Sequence, residues 1–179
     1  MTQTTRPHLI GMPVLDTERL ILRGPLVTDW PSFRDYHASA RTVYTGGPKA
    51  EPQAAEQFAS FFGHWIMRGF GRLIAQDRAT GQPLGHFGAM QWQESAQVEL
   101  TWSLWTAEAE GRGLATEAAS AIYHWAFGSL GLTSARAEVH ADNAASHAIA
   151  RRLGGIVDPD QKPIWMDRGS VYIFGRGPA

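Results

Sequence analysis

The sequence predicts a single α/β domain (α+β in the stricter sense) built on a mixed, mostly antiparallel central sheet. Two patterns lead to this fold class. Residues 72–92 alternate around one polar turn, as an antiparallel hairpin does. Residues 98–155 then run in the order strand, helix, strand, helix. The chain has 179 residues, 44% of them hydrophobic, which is enough for one well-buried core.

Two helices are predicted ahead of the hairpin. Asp29 is expected to cap a helix that runs to about Ala38. A second helix opens at Glu51, with a proline in its first turn, and reaches about Met67. The loop between these helices and the loop ahead of the last strand, at about residues 159–169, are less regular.

The second half of the chain has the clearest periodicity. Apolar and polar side chains alternate from Val98 to Leu104, which is the period of a strand, and Glu99 falls on the polar face. Residues 114–127 carry apolar positions at helical spacing, and residues 135–140 alternate again. A short helix at residues 144–153 follows, with Asp142 or Asn143 as its cap and Gly154 at its end.

A glycine-rich turn, EGRGLATEAA at residues 110–119, connects the strand to the helix. Gly111 and Gly113 carry no Cβ, so the backbone can turn sharply and let a ligand approach its amides. The unpaired N–H groups and the dipole of the following helix make this end electropositive. The turn predicts an anion cradle suited to a pyrophosphate, with an ordinary strand-to-helix connection as the alternative.

A dinucleotide-binding fingerprint is another interpretation of the same glycines. Thr116 stands where that pattern has its third glycine or alanine. Too little chain follows the turn to complete a doubly wound domain, and the hairpin ahead of it is antiparallel. The sequence therefore disfavours a dinucleotide site.

EGRGLATEA resembles the acyl-CoA binding loop of the GNAT N-acetyltransferases, whose pattern is Gln/Arg-x-x-Gly-x-Gly/Ala. Gly113 and Ala115 match its last two fixed positions. Residues 143–146 (NAAS) and 152–154 (RLG) are similar to the Asn-x-x-Ser…Lys-Leu-Gly segment of the branch that includes the ribosomal-protein N-terminal (alanine/serine) acetyltransferases. Residues 17–23 (TERLILR) resemble the opening strand of that branch, so the likeness spans about residues 16–175.

This resemblance implies a GNAT-like sheet of about six to seven strands with helices on both faces. It also implies that acetyl-CoA is the co-substrate, that Asn143 hydrogen-bonds the pantetheine arm and that Ser146 donates to the sulfur. Both Asn143 and Ser146 could instead be simple capping residues. The residues expected to bind the coenzyme are Leu104, Trp105, Thr106, Gly111, Arg112, Gly113, Leu114, Ala115, Thr116 and Asn143.

Two positions depart from the family pattern. Glu110 stands where the family usually has Gln or Arg, and an acidic side chain near a pyrophosphate is unfavourable unless it points away. The branch with a tyrosine general acid places it seven residues after the asparagine, where this chain has Ala150. A tyrosine acid is therefore not expected.

Composition excludes several partner classes. Sixteen Lys and Arg against seventeen Asp and Glu leave a formal charge of −1, so no basic field favours nucleic acid or an anionic membrane surface. Residues 1–15 are expected to be a loose tail ahead of one domain at 16–179, in a cytoplasmic protein. The chain has no cysteine, which removes a cysteine acyl-enzyme, and its seven histidines show no H-x-x-x-H pair, so no metal is expected.

The predicted chemistry is attack of an amine on a thioester. Glu99 is the candidate general base, with ordered water as the alternative base and a solvated carboxylate as its non-functional interpretation. His140 is a further proton carrier, and Tyr44, Trp92 and Trp165 are expected to line the acceptor pocket.

The predicted function is acetyl-CoA-dependent N-acetyl transfer to a primary amine, either of a small molecule or of a peptide N-terminus. The alternative is a non-catalytic acyl-CoA-binding or sensing module. A homodimer is compatible with the sequence, which does not decide the oligomeric state.

Overall fold

The computed structural model describes residues 11–94 and 96–175 of the chain. It contains one eight-stranded sheet in the order β1-β2-β3-β4-β5-β6-β8-β7. The strands are β1 Leu15–Asp16, β2 Leu20–Arg23, β3 Arg72–Asp77, β4 Pro83–Met90, β5 Glu99–Leu104, β6 Ser134–His140, β7 Ile156–Val157 and β8 Gly169–Gly175. The α-helices are α1 Trp30–Ala38, α2 Glu51–Arg68, α3 Leu114–Gly128 and α4 Ala144–Arg152, and short 3₁₀ turns lie at Val27–Asp29, Ala40–Thr42 and Ala107–Ala109.

The predicted fold class is confirmed. Every pair of neighbouring strands is antiparallel except β5 and β6, which are parallel. The sheet has eight strands rather than six or seven because β1 and β7 are two residues each, too short to leave a periodic pattern in the sequence. Strand β1 begins at Leu15, the last residue of the predicted tail, and residues 1–10 lie outside the described residues.

The two faces of the sheet are covered by different helices because side chains alternate along each strand. The larger apolar cluster joins the sheet to α3 and α4 and includes Leu73, Phe87, Leu100, Ile122 and Ile149. The smaller cluster joins the opposite face to α1 and α2 and includes Phe33, Phe58, Phe61, Ile74 and Trp105. Arg72 precedes Leu73 and Glu99 precedes Leu100, so the side chains of Arg72 and Glu99 point to the opposite face, toward α1 and α2.

Asp29 has a different role from the predicted helix cap. It lies at the N-cap position of α1, but its side chain makes no capping hydrogen bond there. Its carboxylate instead accepts from the Leu26 amide at 2.8 Å and pairs with Arg23 at 2.8 Å. These contacts fasten the start of α1 to the end of β2.

The sheet opens between its two parallel strands. β5 and β6 share one register pair, Glu99 with Arg136, and the Arg136 amide donates to the Val98 carbonyl at 2.8 Å. Beyond this point the strands diverge toward the carboxyl end of β5. The edge of β5 there can accept a ligand that lies along it as an added strand would.

Candidate active site

The glycine turn at the start of α3 has the backbone geometry expected of an anion cradle. Gly111 and Gly113 have φ values of +68° and +78°, a left-handed conformation that side-chain-bearing residues seldom adopt. The Glu117 amide makes a helical hydrogen bond to the Gly113 carbonyl at 3.0 Å. Amides nearer the start of the helix have no carbonyl one turn ahead to bond within it, so they can bind an anion.

A network from the N-terminal strands holds the first turn of α3. The Glu117 carboxylate accepts from the Thr17 hydroxyl at 2.6 Å and from the Arg19 amide at 2.8 Å. Arg19 also donates to the Arg112 carbonyl at 2.7 Å, within the glycine turn. Burial would raise the pKa of Glu117, but these hydrogen bonds and the Arg19 charge together lower it. The cradle is therefore braced by a charged, hydrogen-bonded pair.

Glu110, the acidic departure from the family pattern, is paired rather than free. Its carboxylate lies 2.5 Å from the Arg41 guanidinium, and its side chain is 61% exposed. The adjacent arginine offsets its charge, so the acidic side chain does not oppose an anion at the turn as an isolated carboxylate would. The pair also ties the α1–α2 connection to the glycine turn.

The backbone amides at the end of β5 face in different directions, so only some of the predicted amides can reach a ligand. The Trp105 amide donates to the Leu84 carbonyl at 2.8 Å, so this amide is not available to the coenzyme. Because the direction of backbone bonds alternates along an antiparallel strand, the Leu104 amide points away from β4 and toward the opening. Thr106 follows in the turn after β5. Leu114 is 1% exposed in the core, so only its backbone is available to a ligand.

Asn143 and Ser146 lie across the opening at the start of α4. The Asn143 side-chain oxygen accepts from the Ser146 amide at 3.1 Å, so Asn143 does cap the helix. This bond leaves its amide nitrogen available to a ligand. The Trp102 indole, from β5, donates to the Ser146 hydroxyl oxygen at 3.1 Å, which leaves the hydroxyl proton free to be donated elsewhere.

Glu99 lies where β5 and β6 begin to diverge and is partly buried. Burial, together with the neighbouring Glu138 carboxylate, raises the pKa of Glu99 to about 7. The charges of Arg72 and Arg136 act in the opposite direction. A carboxylate with a pKa near neutrality can accept a proton and release it at working pH, as a general base requires.

Glu138, on β6, anchors the loop ahead of the last strand. Its side chain is 1% exposed and forms an ion pair with Arg136. Its two oxygens accept from the Ile164 amide at 2.8 and 2.9 Å, and one of them accepts from the Trp165 amide at 3.0 Å. One buried carboxylate thus holds the loop and contributes to the raised pKa of Glu99.

These features surround one cavity of about 810 Å³. The cavity is lined by several residues predicted to take part in catalysis or coenzyme binding: Glu99, Leu104, Gly111, Ala115, Asn143, Ser146 and His140. Arg112, Gly113 and Thr116 belong to the adjoining turn and first helical turn, and Trp105 lies in the core. The predicted acceptor-pocket residues Tyr44, Trp92 and Trp165 also line the cavity, and the last two pack with ring centroids 5.2 Å apart.

Arg72 and His37 line the same cavity but were missed by sequence reasoning. Arg72 is the first residue of a strand two strands away from the diverging edge, and His37 is the next-to-last residue of α1. Nothing in the local sequence distinguishes either from a surface residue. Only the pairing of β3, β4 and β5 brings Arg72 beside Glu99.

Neither a metal site nor a membrane span emerges from the described residues. Within residues 11–94 and 96–175, no three His, Cys, Asp or Glu side chains are grouped as metal ligands. The helices of the same part of the chain lack the combination of length and apolar character needed to cross a membrane.

Comparison with known proteins identifies the family. The model of the Acetyltransferase (GNAT) domain matches residues 19–156. The acetyltransferase from Agrobacterium tumefaciens str. C58 is similar in structure, with 34% sequence identity, a TM-score of 0.84 and coverage of 94% of this chain and 98% of that one. No curated protein sequence matches this chain.

More distant structures share the fold. A putative ribosomal-protein-serine acetyltransferase from Vibrio cholerae has 16% identity and a TM-score of 0.73, covering 91% of this chain and 97% of that one. RimL, a ribosomal L7/L12 alpha-N-protein acetyltransferase solved in complex with coenzyme A, has 11% identity and a TM-score of 0.72, covering 91% and 98%. The chain belongs to the GNAT acetyltransferase family, which confirms the resemblance predicted from its sequence.

Proposed function

We propose that this protein is an acetyl-CoA-dependent N-acetyltransferase that moves the acetyl group directly to a primary amine. The acceptor is either a small molecule or a peptide N-terminus. The observation that carries the proposal is Glu99, a partly buried carboxylate with its pKa raised to about 7, in a cavity shared with Ser146 and the Leu104 strand edge. Acetyl-CoA supplies the activated thioester.

The cradle and the strand edge fit this co-substrate. The amides of residues 111–115 suit its diphosphate, because they combine left-handed glycines with a helix start. The Leu104 amide is directed toward the opening, where it can donate to the pantetheine arm or to the developing oxyanion. Asn143 offers its side-chain amide nitrogen from the facing helix.

Glu99 and Ser146 have separate roles: Glu99 accepts a proton, and Ser146 donates a hydrogen bond. The amine nitrogen attacks the thioester carbon, and a C–N bond forms as the C–S bond breaks. Glu99 takes the proton that the nitrogen loses, and the electron pair of the broken bond leaves with sulfur. Ser146, its oxygen already accepting from Trp102, donates its hydroxyl hydrogen bond to that sulfur. A thiol titrates near 8.5, so the leaving group needs only this modest help.

The test is release of free CoA thiol from acetyl-CoA in the presence of a panel of primary amines. Turnover with at least one amine, together with mass-spectrometric detection of the N-acetyl product, would support the proposal. CoA at about a hundred times its dissociation constant should also raise stability by about 2.7 kcal/mol. Failure of every amine while CoA still binds would instead favour the non-catalytic binding module, which no structural observation currently favours.

A further inference from the structure

The wall of the cavity contains a buried guanidinium that lacks a complete set of partners. Arg72 is 8% exposed and lines the cavity. Its Nε donates to the Thr101 hydroxyl at 3.3 Å, but within the described residues its Nη1 has no hydrogen-bond partner. Leaving a buried charged donor unpaired is costly, so such a group usually has a partner, which can be a bound water, an ion or a ligand.

Aromatic rings hold this guanidinium without satisfying it. Its central carbon lies 5.0 Å from the Phe61 ring centroid and 5.9 Å from that of Trp92. Aromatic faces attract a cation but accept no conventional hydrogen bond. The rings therefore orient the Arg72 fork and leave its free nitrogen for another acceptor.

The charges around Arg72 leave this part of the cavity electropositive. Burial lowers the pKa of Arg72 to about 10, with Glu99 acting in the opposite direction, so the group stays cationic at neutral pH. Lys49 adds a second nearby positive charge. Burial lowers the pKa of His37 to about 4 and that of His86 well below its ordinary value, so both rings are neutral. Glu99, the proposed base, is the carboxylate that acts on Arg72 here, and Tyr36 acts on the Arg72 pKa in the same direction.

Strand pairing places this cation in the neighbourhood of the base. In the register of the sheet, Arg72 of β3 pairs with Gly88 of β4, and Gly88 pairs with Thr101 of β5. The Arg72 side chain contacts Thr101. Thr101 lies two residues beyond Glu99 on the same face of β5, a separation of about 6.8 Å along the strand. A ligand with its amine at Glu99 therefore reaches Arg72 with a group only a few bonds from the nitrogen.

We infer that the acceptor is a primary amine that carries an anionic group, a carboxylate or a phosphate, within a few bonds of its nitrogen. Arg72 Nη1 binds the anion while Glu99 receives the amine. His37, 1% exposed with both ring nitrogens unpartnered among the described residues, lines the same cavity and supplies a neutral hydrogen-bonding partner. This inference rests on the proposed N-acetyltransferase function and narrows its substrate class.

The test compares three amines of similar length: 3-aminopropanoate, 2-aminoethyl phosphate and propylamine. CoA-thiol release is measured for the unmodified protein, for Arg72→Gln and for the matched control Arg68→Gln. Arg68 pairs with Glu94 at 3.1 Å and does not line the cavity. At least one anionic amine is expected to exceed propylamine in kcat/KM by about 10- to 100-fold, the range of a charged hydrogen bond. Arg72→Gln should abolish that preference, and Arg68→Gln should keep it.

The outcomes separate this inference from the function beneath it. Equal use of propylamine and both anionic amines would overturn the inference, as would an equal loss for all three in Arg72→Gln. Arg72→Lys, which keeps the charge, should retain part of the preference and covers the case in which the glutamine variant does not fold. Calorimetric binding of each amine to the CoA-loaded protein decides the inference even if none is acetylated, a result that would overturn the proposed function alone.

Discussion

The indole nitrogen of Trp102 donates a hydrogen bond of 3.1 Å to the hydroxyl oxygen of Ser146. The bond crosses the opening of the sheet, from the strand that would carry the thioester to the helix that faces it. It fixes the Ser146 oxygen as an acceptor, so its hydrogen is free for another group. The serine is therefore oriented as a donor, beyond what its place in a capped helix requires.

Replacing Ser146 with alanine should lower kcat by about 10- to 100-fold while leaving the CoA dissociation constant within about twofold, since the lost bond matters mainly as sulfur becomes negative. Steady-state kinetics and calorimetric CoA binding measure the two effects. Trp102→Phe, which removes the orienting bond along with part of the indole ring, should give a smaller decrease in kcat. An unchanged kcat in the alanine variant would leave Ser146 with no role beyond the first turn of α4.

Gly113→Val should weaken CoA binding by at least about tenfold, because a β-branched residue resists the left-handed conformation and the cradle would lose its shape. The matched control is Gly131→Val. Gly131 has φ +75° with open space at its Cβ position, in the turn after α3. Both variants should lose similar stability, but calorimetry should find CoA affinity reduced only at position 113. Equal CoA affinity in the two would contradict the cradle.

The fold was predictable because its main signals are local. The alternation in β5, the helical spacing in α3 and the turn chemistry of Gly154, whose φ is +80°, each depend on a few neighbouring residues. The order of these elements then limited the topology. The role of Asp29 was not predictable from local sequence, because its carboxylate pairs with Arg23 of β2 instead of capping the helix that follows it.

The site was predictable only where it coincides with a continuous motif. Gly111, Gly113, Asn143 and Ser146 lie in such motifs, and Glu99 lies in the strand leading to one. The direction of the Trp105 amide was not predictable, because strand alternation gives the direction of side chains but not which neighbouring strand each amide faces. Arg72 and Glu138 reach the site through strand pairings that no local pattern encodes.

Glu138→Gln should impair acceptor use without affecting CoA binding. The buried carboxylate accepts from the amides of Ile164 and Trp165, and a glutamine offers only one oxygen to both. The KM for the acceptor should rise several-fold. Because Glu138 raises the pKa of Glu99, loss of its charge should also move the rising limb of the pH–rate profile to lower pH. A purely structural role for Glu138 would leave that limb in place, as the surface control Glu94→Gln should.

The pH dependence of catalysis should report Glu99 directly. With its pKa raised to about 7, kcat/KM should increase with pH up to about 7 and then rise less steeply, as the acceptor amine itself loses its proton. Glu99→Gln should lower kcat/KM by about 10²- to 10⁴-fold and remove the limb near pH 7. A glutamine variant that kept this limb would assign the proton to another group, with ordered water as the base.

The same carboxylate should influence folding stability with the opposite dependence on pH. The folded-state pKa of Glu99 is raised to about 7 from an ordinary value of 4.5, so the folded chain holds this proton more tightly than the unfolded chain. Its stabilising contribution is present at low pH and is lost as pH rises through about 7. Glu99→Gln should remove that loss, so its free energy of unfolding relative to the unmodified protein should increase by about 1–3 kcal/mol between pH 5 and pH 8.

Urea denaturation at the two pH values measures this difference, with Glu56→Gln, at an exposed position on α2, as the matched control. A pH-independent difference for Glu99→Gln would mean that Glu99 is solvated like an ordinary surface carboxylate, and the assignment of a tuned base would be wrong.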